Sequence, residues 1–126
     1  MTWTELAEIQ RAIAQHLMTT KDPRFVRGVC SRAYYAGYAL VTARLPESML
    51  FGRGWRNPEH ARLPGYVNQI SGVGEIGRRA IRRALRRLRH RREDADYRPG
   101  ITVDTSTALQ SMRDVAEIFS LLNRSP

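Results

Sequence analysis

The sequence of 126 residues has little cysteine and little lysine: Cys30 and Lys21 are the single examples of each. One cysteine cannot form an internal disulfide, and it excludes metal sites built from several cysteines. No apolar run approaches the roughly 20 residues that a membrane-spanning helix needs. The first dozen residues lack the basic-then-apolar order of a secretory signal. We therefore expect a cytoplasmic protein that forms a single domain over 1–126.

Positive charge is abundant, but it is concentrated in one place. The formal net charge is +9, and nine arginines lie between Arg78 and Arg92, a segment without any acid. Subtracting these nine from the 21 basic residues leaves 12, which equals the number of acidic residues. The whole excess charge therefore belongs to one segment, which predicts a phosphate-bearing or otherwise acidic partner.

Helical periodicity runs through most of the chain, and no alternation long enough for a sheet is present. Apolar residues at helical spacing predict a first helix over 3–18, with Thr2 and Glu5 as a capping box; they are Leu6, Ile9, Ile13 and Leu17. Asp22 and Pro23 are expected to start a second helix that continues to about Leu45. This helix is apolar or small on nearly all sides, so we expect it to be central and to have neighbours on two faces.

The second half of the chain predicts three further helices. A short one from Asn57-Pro58 to about Ile70 is interrupted at Pro64-Gly65, and a longer one runs from about Gly74 to Asp96. The last begins after Asp104 or Thr105, with inward positions expected at Ala108, Leu109, Met112, Val115, Ala116, Phe119 and Leu122. The predicted fold class is therefore all-α, an up-and-down bundle of four to five helices.

Seven arginines of the long helix lie on its polar side, and we call them the arginine stripe. Phosphate contacts from such a surface give affinity without sequence specificity, although a solvated helix face is the alternative interpretation. The predicted nucleic-acid-binding residues are Arg78, Arg79, Arg82, Arg83, Arg86, Arg87 and Arg89.

Two motifs in this helical setting resemble a known family. The first is SRAYYAGYAL, which begins at Ser31 in the second helix, and the second is RREDADY, which ends at Tyr97 in the long helix. A small helical protein with Ser-Arg-x-Tyr-Tyr-Ala early and Arg-x-x-Ala-Asp-Tyr late resembles the HEPN superfamily, most closely its small stand-alone prokaryotic members. The resemblance covers the chain from the second helix to the end.

The resemblance implies a helical bundle that dimerises and acts on RNA. Many members are metal-independent endoribonucleases, often toxins or phage-defence effectors, and some pair with a nucleotidyltransferase or an antitoxin. Their catalytic signature is an arginine followed by a histidine after four to six residues. In that chemistry the histidine transfers protons during attack by the 2′-hydroxyl, and the arginine stabilises the charged phosphorane.

The signature is imperfect in this chain, so several pairs stay open. Arg56 is followed by a polar residue, but only three residues separate it from His60. Arg53 has the right separation from His60 but is followed by glycine, and Arg83 with His90 has the right separation within a segment dense in arginine. The predicted catalytic residues are His60, Arg56 and Arg53.

A second polar site is predicted at the end of the long helix. Arg92 and Asp96 lie beside its apolar face, four residues apart, so we expect both to be substantially buried and paired. If the pair is structural, Asp96→Ala is expected to cost about 3–5 kcal/mol; if functional, the two residues belong to a polar site. That site comprises Arg32, Tyr35, Arg92, Asp96 and Tyr97.

The sequence also bears on partners and cofactors. SGVGEIG is rich in glycine but follows no strand, which excludes a dinucleotide site, and we predict neither a cofactor nor a metal. A homodimer is expected through the second face of the second helix and the apolar loop 46–58, with Phe51 and Trp55. The small residues on that face are Gly28, Ser31, Ala39 and Thr42. RNA cleavage is the leading hypothesis; a non-catalytic binding or regulatory module and a DNA-binding accessory protein are the alternatives.

Overall fold

A computed structural model describes residues 1–49, 51 and 57–123 of the chain. Within these residues the backbone forms five α-helices and two short 3-10 turns, Pro23–Phe25 and Val67–Gln69, and it contains no β-strand. None of the described helices is both long enough and apolar enough to cross a membrane. The helices are α1 (Trp3–Thr19), α2 (Val26–Arg44), α3 (Leu63–Tyr66), α4 (Glu75–Tyr97) and α5 (Thr105–Leu122).

The helix starts follow the predicted capping residues. The Thr2 hydroxyl accepts a hydrogen bond from the backbone N–H of Glu5 at 3.0 Å, at the start of α1. Asp104 caps α5 in the same way through the N–H of Thr107. Asp22 caps the 3-10 turn that precedes α2, and its carboxylate accepts from the N–H of Arg24. These contacts satisfy backbone donors that have no partner inside the helix, which fixes where each helix begins.

The bundle is built around α2, as its composition predicts. Near one end of α2 the Arg44 guanidinium reaches Thr4, and near the other Arg32 reaches Gln10, so α1 and α2 are antiparallel. In the middle of α2, Gly37 allows close approach of α4 and α5, since an added Cβ would lie 3.3 Å from methyl groups of Leu88 and Ile118. Contacts between α4 and α5 are also antiparallel. The predicted up-and-down all-α bundle is confirmed.

The second face of α2 is covered within the chain, contrary to the surface proposed for a homodimer. An added Cβ on Gly28 would lie 3.2 Å from Leu17 of α1. Ala39 and Thr42 are buried, and Ser31 bonds to α4. Phe51 is buried and stacks on Tyr66 with ring centroids 4.8 Å apart. Trp55 lies outside the described residues. These residues of α2 are therefore packed within the chain against α1 and α4, and the homodimer itself stays a prediction.

Three apolar positions predicted to point inward are exposed. Ile9, Ile13 and Leu109 keep 42%, 38% and 43% of their surface accessible. In α1 the fully buried residues are Ala7 and Ala14. Small side chains let α1 approach α2 closely, and this approach turns the isoleucines toward solvent. The larger apolar residues of α1 are thus divided: Leu6 and Leu17 pack against the core, whereas Ile9 and Ile13 lie on the solvent side.

The segment before α4 also differs from its prediction. Pro64 does not interrupt a helix; it lies in the first turn of α3, which begins at Leu63. A proline is tolerated there because the first-turn N–H groups have no partner in the helix. A turn at His60 precedes α3, and this turn brings His60 to the side of α4.

Candidate active-site cleft

A cleft of about 330 Å³ lies between the turn at His60 and the polar side of α4. We call it the His60 cleft. Its size falls at the small end of ligand pockets in proteins, which range from ~300 to ~1,000 Å³. It therefore admits a group the size of one nucleotide unit. Its lining residues are Tyr34, His60, Ala61, Leu63, Pro64, Leu85, Arg86, Arg89, His90 and Glu93.

The His60 ring is held in place by a hydrogen bond and by aromatic packing. Its Nδ1 atom lies 2.6 Å from the hydroxyl of Tyr34, and the Tyr38 ring packs on it with centroids 4.7 Å apart. Burial raises the pKa of Tyr34, so its hydroxyl stays protonated. When Nδ1 carries the ring proton and donates it to the Tyr34 oxygen, Nε2 is the nitrogen that can accept a proton.

The environment of His60 favours the neutral ring. Burial lowers the pKa of His60 below its ordinary value of 6.5, and the nearby charges of Arg92 and Arg89 lower it further. A histidine that is neutral near pH 7 can accept a proton, which is what a general base must do. Arg89 and Arg92 of α4 therefore also lower the pKa of His60.

Tyrosines anchor the two residues that precede His60. Tyr38 donates a hydrogen bond to the carbonyl of Pro58 at 2.7 Å, in a fully buried contact. Tyr66 of α3 donates to the Glu59 carboxylate at 3.0 Å. These contacts fix the turn that carries His60.

Charged side chains of α4 form the opposite wall of the cleft. Arg86 is exposed, and Arg89 pairs with Glu93 one turn along the helix, with Nε and Oε1 2.9 Å apart. His90 lies next to Asp94, whose carboxylate is 3.5 Å from Nε2. The cleft thus combines two histidines with two arginines, and Glu93 is the acid in its lining.

The arginine stripe is not one continuous free surface. Asp114 of α5, which is 8% exposed, accepts hydrogen bonds from Arg87 and Arg91. A count of the acids within the arginine segment misses this partner, because Asp114 lies outside that segment. The signal was available: Asp114 lies between inward positions of the last helix. Asp114 is therefore a structural residue that neutralises part of α4.

Two further stripe residues are occupied within the chain. Arg82 donates to Asn68 at 2.6 Å and pairs with Glu75 at 2.8 Å. Arg78 donates to the carbonyl of Ile70 at 2.8 Å. These arginines fasten the loop before α4 to the helix itself. They contribute positive charge to the surface, but their hydrogen-bonding groups are partly used.

Three stripe residues remain exposed without an ion pair or hydrogen bond among the described residues: Arg79, Arg83 and Arg86. Their spacing of four and three residues places them in one line along α4, on the same side as the cleft. We call them the arginine ridge. Because Arg86 also lines the His60 cleft, the ridge leads directly into the cleft.

The polar site at the end of α4 is centred on Arg92. Its guanidinium donates to the hydroxyls of Tyr35 at 2.6 Å and Tyr97 at 2.9 Å. Asp96 lies 3.0 Å from Nε of Arg92, although that N–H does not point at the carboxylate. Asp96 accepts instead from the hydroxyl of Ser31 at 3.1 Å. The Arg92 side chain is 13% exposed and that of Asp96 28% exposed.

Arg32 is not part of the polar site around Arg92. Arg32 is exposed and donates to Gln10 of α1 at 3.1 Å, away from Arg92. Arg53 and Arg56, two of the predicted catalytic residues, lie outside the described residues. Arg83 and His90 lie seven positions apart on α4, about 10 Å along its axis. In the described part of the chain no group of His, Cys, Asp and Glu could hold a metal ion.

Comparisons with known proteins give no relative: no family model, no curated protein and no solved structure matches this chain. Any functional conclusion therefore depends on the residues of the cleft and on the motifs of the sequence.

Proposed function

We propose that the protein binds RNA along the arginine ridge and cleaves it in the His60 cleft. The observation that carries this proposal is a histidine with a lowered pKa in a cleft whose other wall holds Arg86 and Arg89. Phosphodiester transfer needs a proton acceptor for the 2′-hydroxyl and cations beside the phosphate. The resemblance to HEPN proteins supports the same chemistry, a metal-independent endoribonuclease acting as a toxin or phage-defence effector.

The arrangement divides the work between two surfaces. The ridge has open guanidinium groups that can contact successive phosphates without reading bases. In the cleft, Arg86 joins the ridge to His60, and Arg89 is available once a phosphate competes with Glu93 for its guanidinium. A bound strand would therefore run along α4 and place one phosphate at His60.

A non-catalytic RNA-binding module is the second candidate. Its supporting observation is that Glu93 already occupies Arg89 in the cleft, whereas the ridge is free to bind. In such a module the cleft would hold a nucleotide without cutting the strand. A nucleotidyltransferase or antitoxin would be the expected protein partner, as the family resemblance implies.

Cleavage of RNA by the purified protein distinguishes the two candidates. We expect the wild-type protein to cut single-stranded RNA in the presence of a chelator and to leave 2′,3′-cyclic phosphate ends. His60→Gln should lower the rate by about 10²–10⁴-fold. His16→Gln is the matched control, because His16 is an exposed histidine of α1 outside the cleft. Binding without any cleavage would favour the module instead.

Binding through the ridge is tested separately by charge-matched triple variants. We expect Arg79, Arg83 and Arg86 changed together to Gln to weaken RNA binding. This triple variant should also reduce the slope of log K against log salt concentration by about 2, because each lost phosphate contact with a single strand contributes ~0.7 to the slope. The control changes three exposed arginines elsewhere by the same charge: Arg24, Arg32 and Arg113. Equal losses in both triples would mean that net charge, and not the ridge, determines binding.

A further inference from the structure

A second histidine, His90, lines the same cleft as His60, and the proposed reaction has so far given it no role. His60 comes from the turn before α3, whereas His90 comes from α4. One cleft is thus lined by two histidines that come from different elements of the fold. The sequence offered His90 only as the partner of Arg83.

The two rings lie in opposite environments. His60 is half-buried, and Tyr34 holds its Nδ1. The His90 side chain is 73% exposed, and the Asp94 carboxylate lies 3.5 Å from its Nε2. Because the carboxylate lies beside Nε2, Nδ1 is the His90 nitrogen left for a ligand. Histidines whose surroundings differ in this way are suited to opposite roles in proton transfer.

We propose that His90 is the general acid of the ribonuclease reaction, with His60 as its general base; this inference rests on the proposed function. The 2′-oxygen attacks the phosphorus and forms the new P–O bond while its proton passes to His60. The bond from phosphorus to the 5′-oxygen breaks, and that oxygen takes a proton from His90. The products are a 2′,3′-cyclic phosphate and a free 5′-hydroxyl, so all atoms and protons are accounted for. Both roles are supplied by one protomer.

Other ionisable groups lie beside the two histidines and must be considered when a pH–rate profile is interpreted. Around His60 they are Tyr34, Tyr35 and Tyr38 of α2 and Arg89, Arg92 and Glu93 of α4. Beside His90 lie Arg86 and Arg89 in the cleft and Asp94, which Arg98 also pairs with at 2.8 Å. Arginines and tyrosines do not titrate between pH 5 and 8, so changes of rate in that range report on the histidines.

A substrate with an easier leaving group isolates the role of the acid. The probe is an RNA dinucleotide in which sulfur replaces the bridging 5′-oxygen; a thiolate leaves without a proton because thiol pKa values are only about 8.5. On normal RNA, His90→Gln should be about 10²–10⁴-fold slower than wild type. On the sulfur-containing dinucleotide it should come within about tenfold of wild type. His60→Gln should be slower than wild type on both substrates. His16→Gln should match the wild-type rate on both.

The pH–rate profile gives an independent readout. In wild type we expect a bell on normal RNA, and in His90→Gln the fall on the alkaline side should disappear. Equal slowing of His90→Gln on both substrates would overturn the inference, as would no slowing on either, and in both cases the His60-dependent nuclease would stand. If wild-type protein with native helical circular dichroism cuts neither substrate, the nuclease proposal itself fails.

Discussion

Removal of the Asp114 carboxylate should destabilise the fold more than removal of any other carboxylate that pairs with an arginine of α4. Asp114 is 8% exposed, and its partner Arg91 has only 11% of its side chain exposed. Breaking a buried ion pair from one side costs ~3–5 kcal/mol because the remaining charge stays buried without its partner. Arg91 keeps its bond to Ser111 at 2.7 Å. We therefore expect Asp114→Ala to cost about 3 kcal/mol.

Asp96→Ala is the matched comparison, because it also removes one carboxylate from an arginine of α4. Here Arg92 keeps its bonds to the hydroxyls of Tyr35 and Tyr97, and its guanidinium lies 5.1 Å from the Tyr35 ring centroid. The lost contacts are a partly exposed i,i+4 pair within α4 and one hydrogen bond from Ser31. Their loss costs about 1 kcal/mol, less than the position of Asp96 in the sequence predicts.

Urea unfolding followed by circular dichroism at 222 nm measures both changes. With an unchanged m-value, the midpoint shift gives the difference in unfolding free energy directly. For a chain of this size, about 3 kcal/mol corresponds to a fall in Tm of about 10 °C. A cost below 1 kcal/mol for Asp114→Ala, or a larger cost for Asp96→Ala, would refute the assignment of Asp114 as the main neutralising group of α4.

Three further predictions concern pH, the end of α4 and assembly. Burial lowers the pKa of His60 below 6.5 in the folded state, so protonation of His60 opposes folding. The wild-type protein should therefore lose stability relative to His60→Gln as the pH falls from 7 to 5. Parallel curves of unfolding free energy against pH for the two proteins would contradict this. Arg27 donates to five backbone carbonyls between Asp94 and Ile101. Arg27→Met should therefore lower the unfolding free energy by about 2 kcal/mol and accelerate amide hydrogen exchange at the end of α4. Unchanged exchange at these amides would contradict this role of Arg27. The protein should scatter light as a homodimer at micromolar concentration, and a monomer mass would count against the dimer that the family resemblance implies.

Helix content and the helix ends were largely predictable from the sequence, because local interactions determine them. Thr2, Asp22 and Asp104 cap the elements that follow them, and their side chains reach backbone N–H groups only two or three residues away. The composition of α2 also predicted its central place, since a helix that is apolar or small on nearly all sides must be surrounded. The arginine segment predicted an amphipathic helix in the same way.

Rotation of the helices was less predictable, because it depends on how closely their backbones approach. Ala7 and Ala14 face the inside while Ile9 and Ile13 are exposed. A periodicity of large apolar residues cannot show that small ones will form the contact. The small residues of α2 show the same effect. They pack against α1 of the same chain, at the face where a second copy was predicted to bind.

The sequence by itself determined the residue types available for chemistry: one segment with all the excess positive charge, and three histidines. Only the tertiary structure decided which of these are free and which meet. Asp114 of α5 occupies Arg87 and Arg91, and other groups of the chain occupy Arg78, Arg82 and Arg89. Arg79, Arg83 and Arg86 remain as the ridge. The turn before α3 brings His60 beside Arg89 and His90 of α4. The ion pairs of Asp114 and the lining of the His60 cleft both consist of residues that are far apart in the chain. Such residues meet only through the packing of the helices, which no local sequence pattern specifies.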